Sequence, residues 1–89
     1  MRKSLIEVLF PGTRRRILST VLCEPDREWY LSDFANHVGL SVSSLQKEVR
    51  LLTEAGILNE RRDGNRVYYS ANQECAVFEE LRSIFEKLP

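Results

Sequence analysis

The residues best suited to chemistry lie between positions 41 and 66, and that chemistry is recognition, not bond-making. Ser43, Ser44, Gln46, Lys47 and Arg50 interleave with Val42, Leu45, Val49 and Leu52, which fall at i, i+3, i+7 and i+10. That spacing is one apolar stripe of an amphipathic helix, so the polar set occupies the other side. Gln can bond adenine N6 and N7 together, Lys reaches guanine O6 and N7, and Ser serves base or phosphate. The first two turns are the positions that meet base edges when a helix enters a major groove by its N-terminus. A second set, Arg61, Arg62 and Arg66, surrounds Asp63-Gly64-Asn65. Arginines there suit a minor groove or a phosphate backbone, where the potential is negative. A third set, Arg14, Arg15 and Arg16, fills the first turn of another helical stretch, where the helix dipole favours acids. Those three are either a solvated face or the meeting point for an external anion. The first two sets have plainer readings beside the sharp ones. Any exposed helix face is polar, and charge on a hairpin protects a sheet edge from pairing.

The inventory for covalent or metal chemistry is thin. His37 is the only histidine, and Cys23 and Cys75 form no C-x-x-C pair. There is no glycine-rich phosphate loop, no Ser/His/Asp set and no paired carboxylates in a plausible pocket. No enzymatic activity, metal or cofactor is therefore expected. The two thiols read as reduced core or boundary residues, and His37 reads as a helix-surface residue near a turn. Tyr68 and Tyr69 are adjacent on a strand, so one is expected in the core. The other covers helix surface or reaches a phosphate.

Behind these residues stands one small domain. A chain of 89 residues buries roughly 60–65% of its unfolded surface, enough for a single core. Apolar residues make up 43% and charged residues 29%, an ordinary globular balance. No run approaches the ~20 apolar residues of a membrane span. The basic-then-apolar start, Met1-Arg2-Lys3-Ser4-Leu5-Ile6-Glu7, is interrupted by Glu7 and stopped by Pro11-Gly12, so a signal peptide is rejected and the cytoplasm is expected. Net charge is zero, but unevenly spread. Residues 1–22 carry five Arg/Lys against one acid, and residues 23–40 carry one against four. A neutral chain can still present one positive face.

The elements follow from periodicity and punctuation. Leu5, Ile6, Leu9 and Phe10 repeat at helical spacing. Thr13 caps a helix with the stripe Ile17, Leu18, Val21 and Leu22, stopped by Glu24-Pro25-Asp26. Residues 28–31 are a short strand. Ser32 caps a helix carrying Phe34, Ala35 and Val38, closed by a left-handed Gly39. Ser41 caps the helix described above, which Gly56 ends. Residues 57–62 and 66–70 are strands joined by a tight hairpin, since Asp-Gly supplies positive φ. Val77, Phe78, Leu81, Ile84, Phe85 and Leu88 share one face of a last helix of about four turns. Two short helices joined at Gly39-Leu40 form a helix-turn-helix. With the hairpin that follows, the fold class is α+β, mostly helical: a winged helix-turn-helix with a C-terminal amphipathic helix.

The run Leu40-Ser41-Val42-Ser43-Ser44-Leu45-Gln46-Lys47-Glu48-Val49-Arg50-Leu51-Leu52-Thr53-Glu54-Ala55-Gly56-Ile57-Leu58 resembles the recognition helix of the ArsR-like winged-helix repressors. Arg61-Arg62-Asp63-Gly64-Asn65-Arg66-Val67-Tyr68-Tyr69 resembles their wing. The resemblance covers residues 13–70 well. It implies a transcriptional regulator of repressor type that binds double-stranded DNA as a homodimer through its first and last helices. Residues 1–89 then form one DNA-binding domain, with a core at 13–70 and dimerisation segments at 1–12 and 74–89. Leu5, Leu9, Phe78, Leu81, Ile84 and Phe85 are the expected interface, because one small core can hardly hide both terminal stripes. Metal sensors of the family carry a cysteine pair on the helix before the recognition helix, or His/Asp/Glu sets on the last helix. Residues 32–38 contain no cysteine, and Cys75 has only Glu79 at i+4, so metal sensing is not expected. Nothing specifies a small-molecule effector. Two other readings stay open. Zero net charge suits a winged-helix adaptor that binds protein. Ala71-Asn72 and Leu81-Arg82 are similar to a stand-alone subgroup found near nucleotidyltransferases, which suits an accessory or RNA-binding module.

Overall fold

A computed structural model of the protein describes residues 5–10 and 12–87. The basic start Met1-Arg2-Lys3-Ser4, Pro11 and Leu88, on which the sequence reading also drew, lie outside them. The order is α1 (Leu5–Leu9), α2 (Gly12–Cys23), β1 (Trp29–Tyr30), α3 (Leu31–Val38), α4 (Val42–Glu54), β2 (Leu58–Asp63), β3 (Arg66–Ala71) and α5 (Phe78–Lys87). The strands form one antiparallel sheet in the order β1-β3-β2. This is the expected α+β winged helix-turn-helix. Among the described residues no helix is long and apolar enough to cross a membrane.

The turn between α3 and α4 carries the architecture. Gly39 sits at φ 72° and ψ 37°, the left-handed region that glycine enters without a Cβ penalty. Its N–H donates to the Asn36 carbonyl, and the Leu40 N–H donates to Ala35. Both bonds use carbonyls that the helix end leaves without partners. Two residues later Ser41 opens α4, its Oγ accepting the Ser44 N–H at 3.2 Å. In the hairpin Asp63 pairs with Arg66, leaving Gly64 and Asn65 as the loop. Gly64 alone takes positive φ, at 62°. Glycine at the first central position is the pattern of a type II′ turn, whose twist suits the flanking strands.

Four local expectations change. Ser32 does not cap α3. The cap position is Tyr30, extended and without a side-chain cap bond, because β1 runs straight into the helix and Tyr30 is paired with Tyr68. Thr13 lies inside α2, which begins at Gly12. Val42 is 44% exposed. Residues 41–44 are all exposed, so the first turn of α4 stands clear of the core and Val42 goes with it. The last helix has ten residues, about three turns, and leaves out Val77. Asn72 holds the chain before it, donating from Nδ2 to the Gly56 carbonyl at 2.8 Å and accepting the Glu74 N–H.

The core joins Ile17, Leu18, Val21 and Leu22 of α2 to Phe34 and Val38 of α3 and to Leu45, Val49 and Leu52 of α4. Trp29, Leu58 and Tyr69 close it from the sheet, and Phe78 from α5. Phe10, Leu81 and Phe85 pack against this core, with the Phe10 and Phe85 rings 5.1 Å apart. The terminal helices therefore spend part of their apolar surface within the chain. Leu5, Val8 and Leu9 stay 58%, 61% and 52% exposed.

Two substitutions test this frame by urea unfolding. Gly39→Ala must hold a left-handed Cβ residue and is expected to lose about 1–2 kcal/mol. Leu45→Ala, at a site with no exposed surface, is expected to lose about 2–5 kcal/mol. A Gly39→Ala protein as stable as wild type would show that the turn tolerates another geometry.

Candidate nucleic-acid interface

Burial of Leu45, Val49 and Leu52 decides which side of α4 is bare. Ser43, Ser44, Gln46, Lys47 and Arg50 are all exposed. The hydroxyls gather at the helix start, with Ser41 donating to Ser44 Oγ at 2.9 Å and lying 3.3 Å from Ser43 Oγ. Neither Lys47 nor Arg50 has a carboxylate partner among the described residues.

The strand register divides the wing arginines between two faces. Leu58, Glu60 and Arg62 lie opposite Ala71, Tyr69 and Val67, on the face that carries the buried residues. Arg62 therefore looks toward α4. It lines a cleft of about 310 Å³ with Gln46, Arg50, Thr53, Glu54, Glu60 and Tyr69. Tyr69 donates its hydroxyl to Glu60 Oε1 at 3.2 Å. Burial and the neighbouring Glu60 carboxylate raise the Tyr69 phenol above its usual range, while Arg62 and Arg50 pull it back. Both guanidiniums thus act on one hydroxyl. Arg62, like Arg50, has no carboxylate partner among the described residues.

Arg61 and Arg66 share the opposite face with Tyr30 and Tyr68. Arg61 donates to both Glu28 oxygens, at 2.6 and 3.0 Å, and its guanidinium lies 4.7 Å over the Tyr68 ring. Tyr68 and Tyr30 are 5.7 Å apart, and Arg66 sits 5.7 Å over Tyr30. The sequence reading missed Glu28 and Tyr30. Glu28-Trp29-Tyr30 alternates as a strand does, but only pairing β1 with β3 shows which residues it joins. Of the two tyrosines Tyr69 is the buried one and Tyr68 the half-buried one.

Two of the three arginines of α2 also have partners within the chain. Arg14 Nε donates to Glu48 of α4, and Arg16 Nη1 donates to the Val38 carbonyl at 3.1 Å. Arg15 is half-buried, and its Nε is buried without a partner. His37 is exposed and rests 4.8 Å from the Trp29 ring, which Arg27 covers at 3.6 Å. Cys75 is half-buried, but Cys23 is exposed at the end of α2, outside the core and boundary expected for it. Among the proposed interface residues Phe78 is buried, and Leu81 and Phe85 are half-buried on the core. Leu5 and Leu9 are exposed. Ile84 is half-buried beside Glu79, Glu80, Ser83 and Lys87 in a shallow depression.

No family model matches the chain. Its fold is similar to three solved structures. Rv0081 of M. tuberculosis is 30% identical, with 81% of this chain covering 68% of that one at a TM-score of 0.63. A possible transcriptional regulator for arsenical resistance is 29% identical, with 97% covering 84% at 0.66. NolR from Sinorhizobium fredii is 26% identical, with 90% covering 77% at 0.67.

The Glu28–Arg61 pair gives a signed pH dependence. The bond from Arg61 holds the Glu28 carboxyl below its ordinary value of 4.5. A lowered folded-state value stabilises the fold fully above the unfolded value, and the gain is lost as pH falls through the folded one. The stability difference between wild type and Glu28→Gln is expected to be constant at neutral pH and to vanish in acid below 4.5. A difference that does not shrink as pH falls below 4.5 would mean the pair is not formed in solution.

Proposed function

We infer that this chain, which belongs to the ArsR-like winged helix-turn-helix regulators, represses transcription by binding double-stranded DNA as a homodimer. The observation that carries the reading is where the unpaired cations lie. Ion pairs occupy Arg14, Arg27, Arg61 and Arg82. Among the described residues Arg15, Arg16, Lys47, Arg50, Arg62, Arg66 and Lys87 have no carboxylate partner, and of these Arg50 and Arg62 face each other across the cleft between α4 and the wing. With α4 in the major groove and the wing at the adjacent minor groove, the sugar-phosphate strand between the grooves must cross the gap between them. That gap is the cleft lined by Arg50 and Arg62, which suits it to one backbone phosphate. Guanidinium forks hold phosphate with two parallel bonds. Ser43, Ser44 and Gln46, in the first two turns, supply base contacts. Arg66, over the Tyr30 ring, adds a backbone contact from the other face of the wing, and Arg61 adds one by exchanging the Glu28 carboxylate for a phosphate. Arg15 adds another from α2. The neutral total charge is no obstacle, because association responds to the local field.

Dimerisation uses the apolar surface that the core leaves uncovered. Leu5, Val8 and Leu9 form one such strip, and Ile84 lies on the open side of α5. Phe78, Leu81 and Phe85 support the interface from beneath. A two-fold dimer matches half-sites about one helical turn, roughly 34–36 Å, apart.

Selection from a random duplex pool should return a palindromic site. Against it, Gln46→Ala should relax preference at one or two positions. Lys47→Ala, Arg50→Ala and Arg62→Ala should weaken all duplexes, each lowering the salt slope by about one unit, with stability changed by less than about 0.5 kcal/mol. If all four bind like wild type, α4 is not in a groove, and a protein or RNA partner becomes the better reading. For the dimer, sedimentation at tens of micromolar should give two copies for wild type and one for Leu9→Glu with Ile84→Glu, both folded. A folded wild-type monomer would remove the dimer from the proposal.

A further inference from the structure

We propose that Arg14 and Arg16 are positioning residues that set the recognition helix against the body of the domain, and that neither is a phosphate ligand. The assignment rests on the reading of α4 as the groove-entering helix. Three arginines at the N-terminal end of α2 are electrostatically misplaced if they only face solvent, since that helix end is positive and its first turn carries no acid. Two of them have partners that explain the placement. Arg16 Nη1 reaches the Val38 carbonyl, in the last turn of α3. The last carbonyls of a helix lack intrahelical donors and form its negative end. The guanidinium misplaced on its own helix is therefore well placed on the next one. It also lies beside the turn, since a Cβ built on Gly39 would be 3.6 Å from Nη1. Arg14 reaches past that turn to Glu48 in the middle of α4. The Glu48 side chain is only 18% exposed, less than its partner's 48%.

These bonds supply what the core cannot. Contacts of Leu45 and Val49 with α2 and α3 are non-directional, since apolar burial scales with area and not with angle. They hold α4 in place but specify its rotation about its own axis only loosely. Successive helix residues lie about 100° apart, so holding Glu48 toward α2 determines where its neighbours Lys47 and Arg50 point. Arg14 and Arg16 come from one turn of α2 and engage both sides of the Gly39 turn. Transfer of Arg14 to a phosphate would leave Glu48 as an unpaired carboxylate on the helix that approaches DNA.

The test is a double-mutant cycle of Arg14→Gln and Glu48→Gln, with Arg16→Ala, Arg50→Ala and Arg62→Ala in parallel. Affinity for the selected duplex and for a scrambled one is measured across salt, with urea midpoints for each protein. Each member of the Arg14–Glu48 pair should reduce the ratio of selected to scrambled affinity about two- to fivefold, the range of an exposed ion pair. The double variant should lose no more than either single. Arg16→Ala should reduce the same ratio. Salt slopes should stay at the wild-type value, while Arg50→Ala lowers its slope by about one unit. Glu48→Gln is the decisive member. Removing a negative charge near DNA should tighten all binding on charge alone, whereas loss of positioning should cost selectivity. A slope lowered by about one unit in Arg14→Gln would overturn the proposal. So would general tightening in Glu48→Gln, or a lower urea midpoint with an unchanged ratio. Silence of Arg50→Ala and Arg62→Ala would instead remove the groove reading, and this proposal with it.

Discussion

The rest of the domain depends on α4 being buried on one side and bare on the other. Leu45 and Val49 have no exposed surface and Leu52 almost none. That burial ties the helix to α2, α3 and the sheet, and apolar area is the main source of its free energy. The same constraint leaves Gln46, Lys47 and Arg50 outside. Helical periodicity exposes them once the stripe is seated, and the Arg14–Glu48 bond fixes their direction more closely. The first turn, residues 41–44, extends past the core, and Ser41 Oγ accepts the Ser44 N–H from within it. A helix with an anchored middle and a projecting, capped start can enter a groove without unfolding its own end.

Charge is organised by the same geometry. Positive and negative residues balance in number, so any useful field must arise from placement. Glu48 and Glu28 meet Arg14 and Arg61, and exposed pairs of this kind add little stability. What they change is the distribution of free charge. Among the cations they leave unpaired, Arg50 and Arg62 line the cleft between α4 and the wing. Glu54 and Glu60 also line that cleft, and Glu60 accepts the Tyr69 hydroxyl. In the proposed complex this mixture would limit non-specific attraction and leave more of the discrimination to α4.

The terminal helices show how an apolar stripe can be divided. Ile6 and Phe78 are buried, and Phe10, Leu81 and Phe85 lie half-buried on the core. The surplus assumed from counting apolar residues is therefore smaller than the two stripes suggest. What remains exposed on the terminal helices is the α1 strip of Leu5, Val8 and Leu9, with Ile84 of α5 half-buried. Exposed apolar surface of this kind often marks an interface.

The residue order alone determined most of the elements and the face of α4, because helix periodicity, Gly39, Ser41, Gly56 and the Asp-Gly turn act over a few neighbours. It also marked Ser43, Gln46, Lys47 and Arg50 as one exposed group, since the burial of their neighbours follows from spacing. It could not show that Ser32 would lose the cap position to Tyr30, because that depends on β1 pairing with β3 some forty residues later in the chain. Alternation puts Arg61 and Arg62 on opposite faces, but it could not show which of them shares a face with Arg66 and which looks toward α4. Their faces are set by strand register, and a slip of one residue would exchange them. The partners Glu28 for Arg61 and Glu48 for Arg14 lie 33 and 34 residues away. Only the folded chain brings them together. Local spacing decides which side chains are free of the core, and tertiary contact decides which of those remain free of each other.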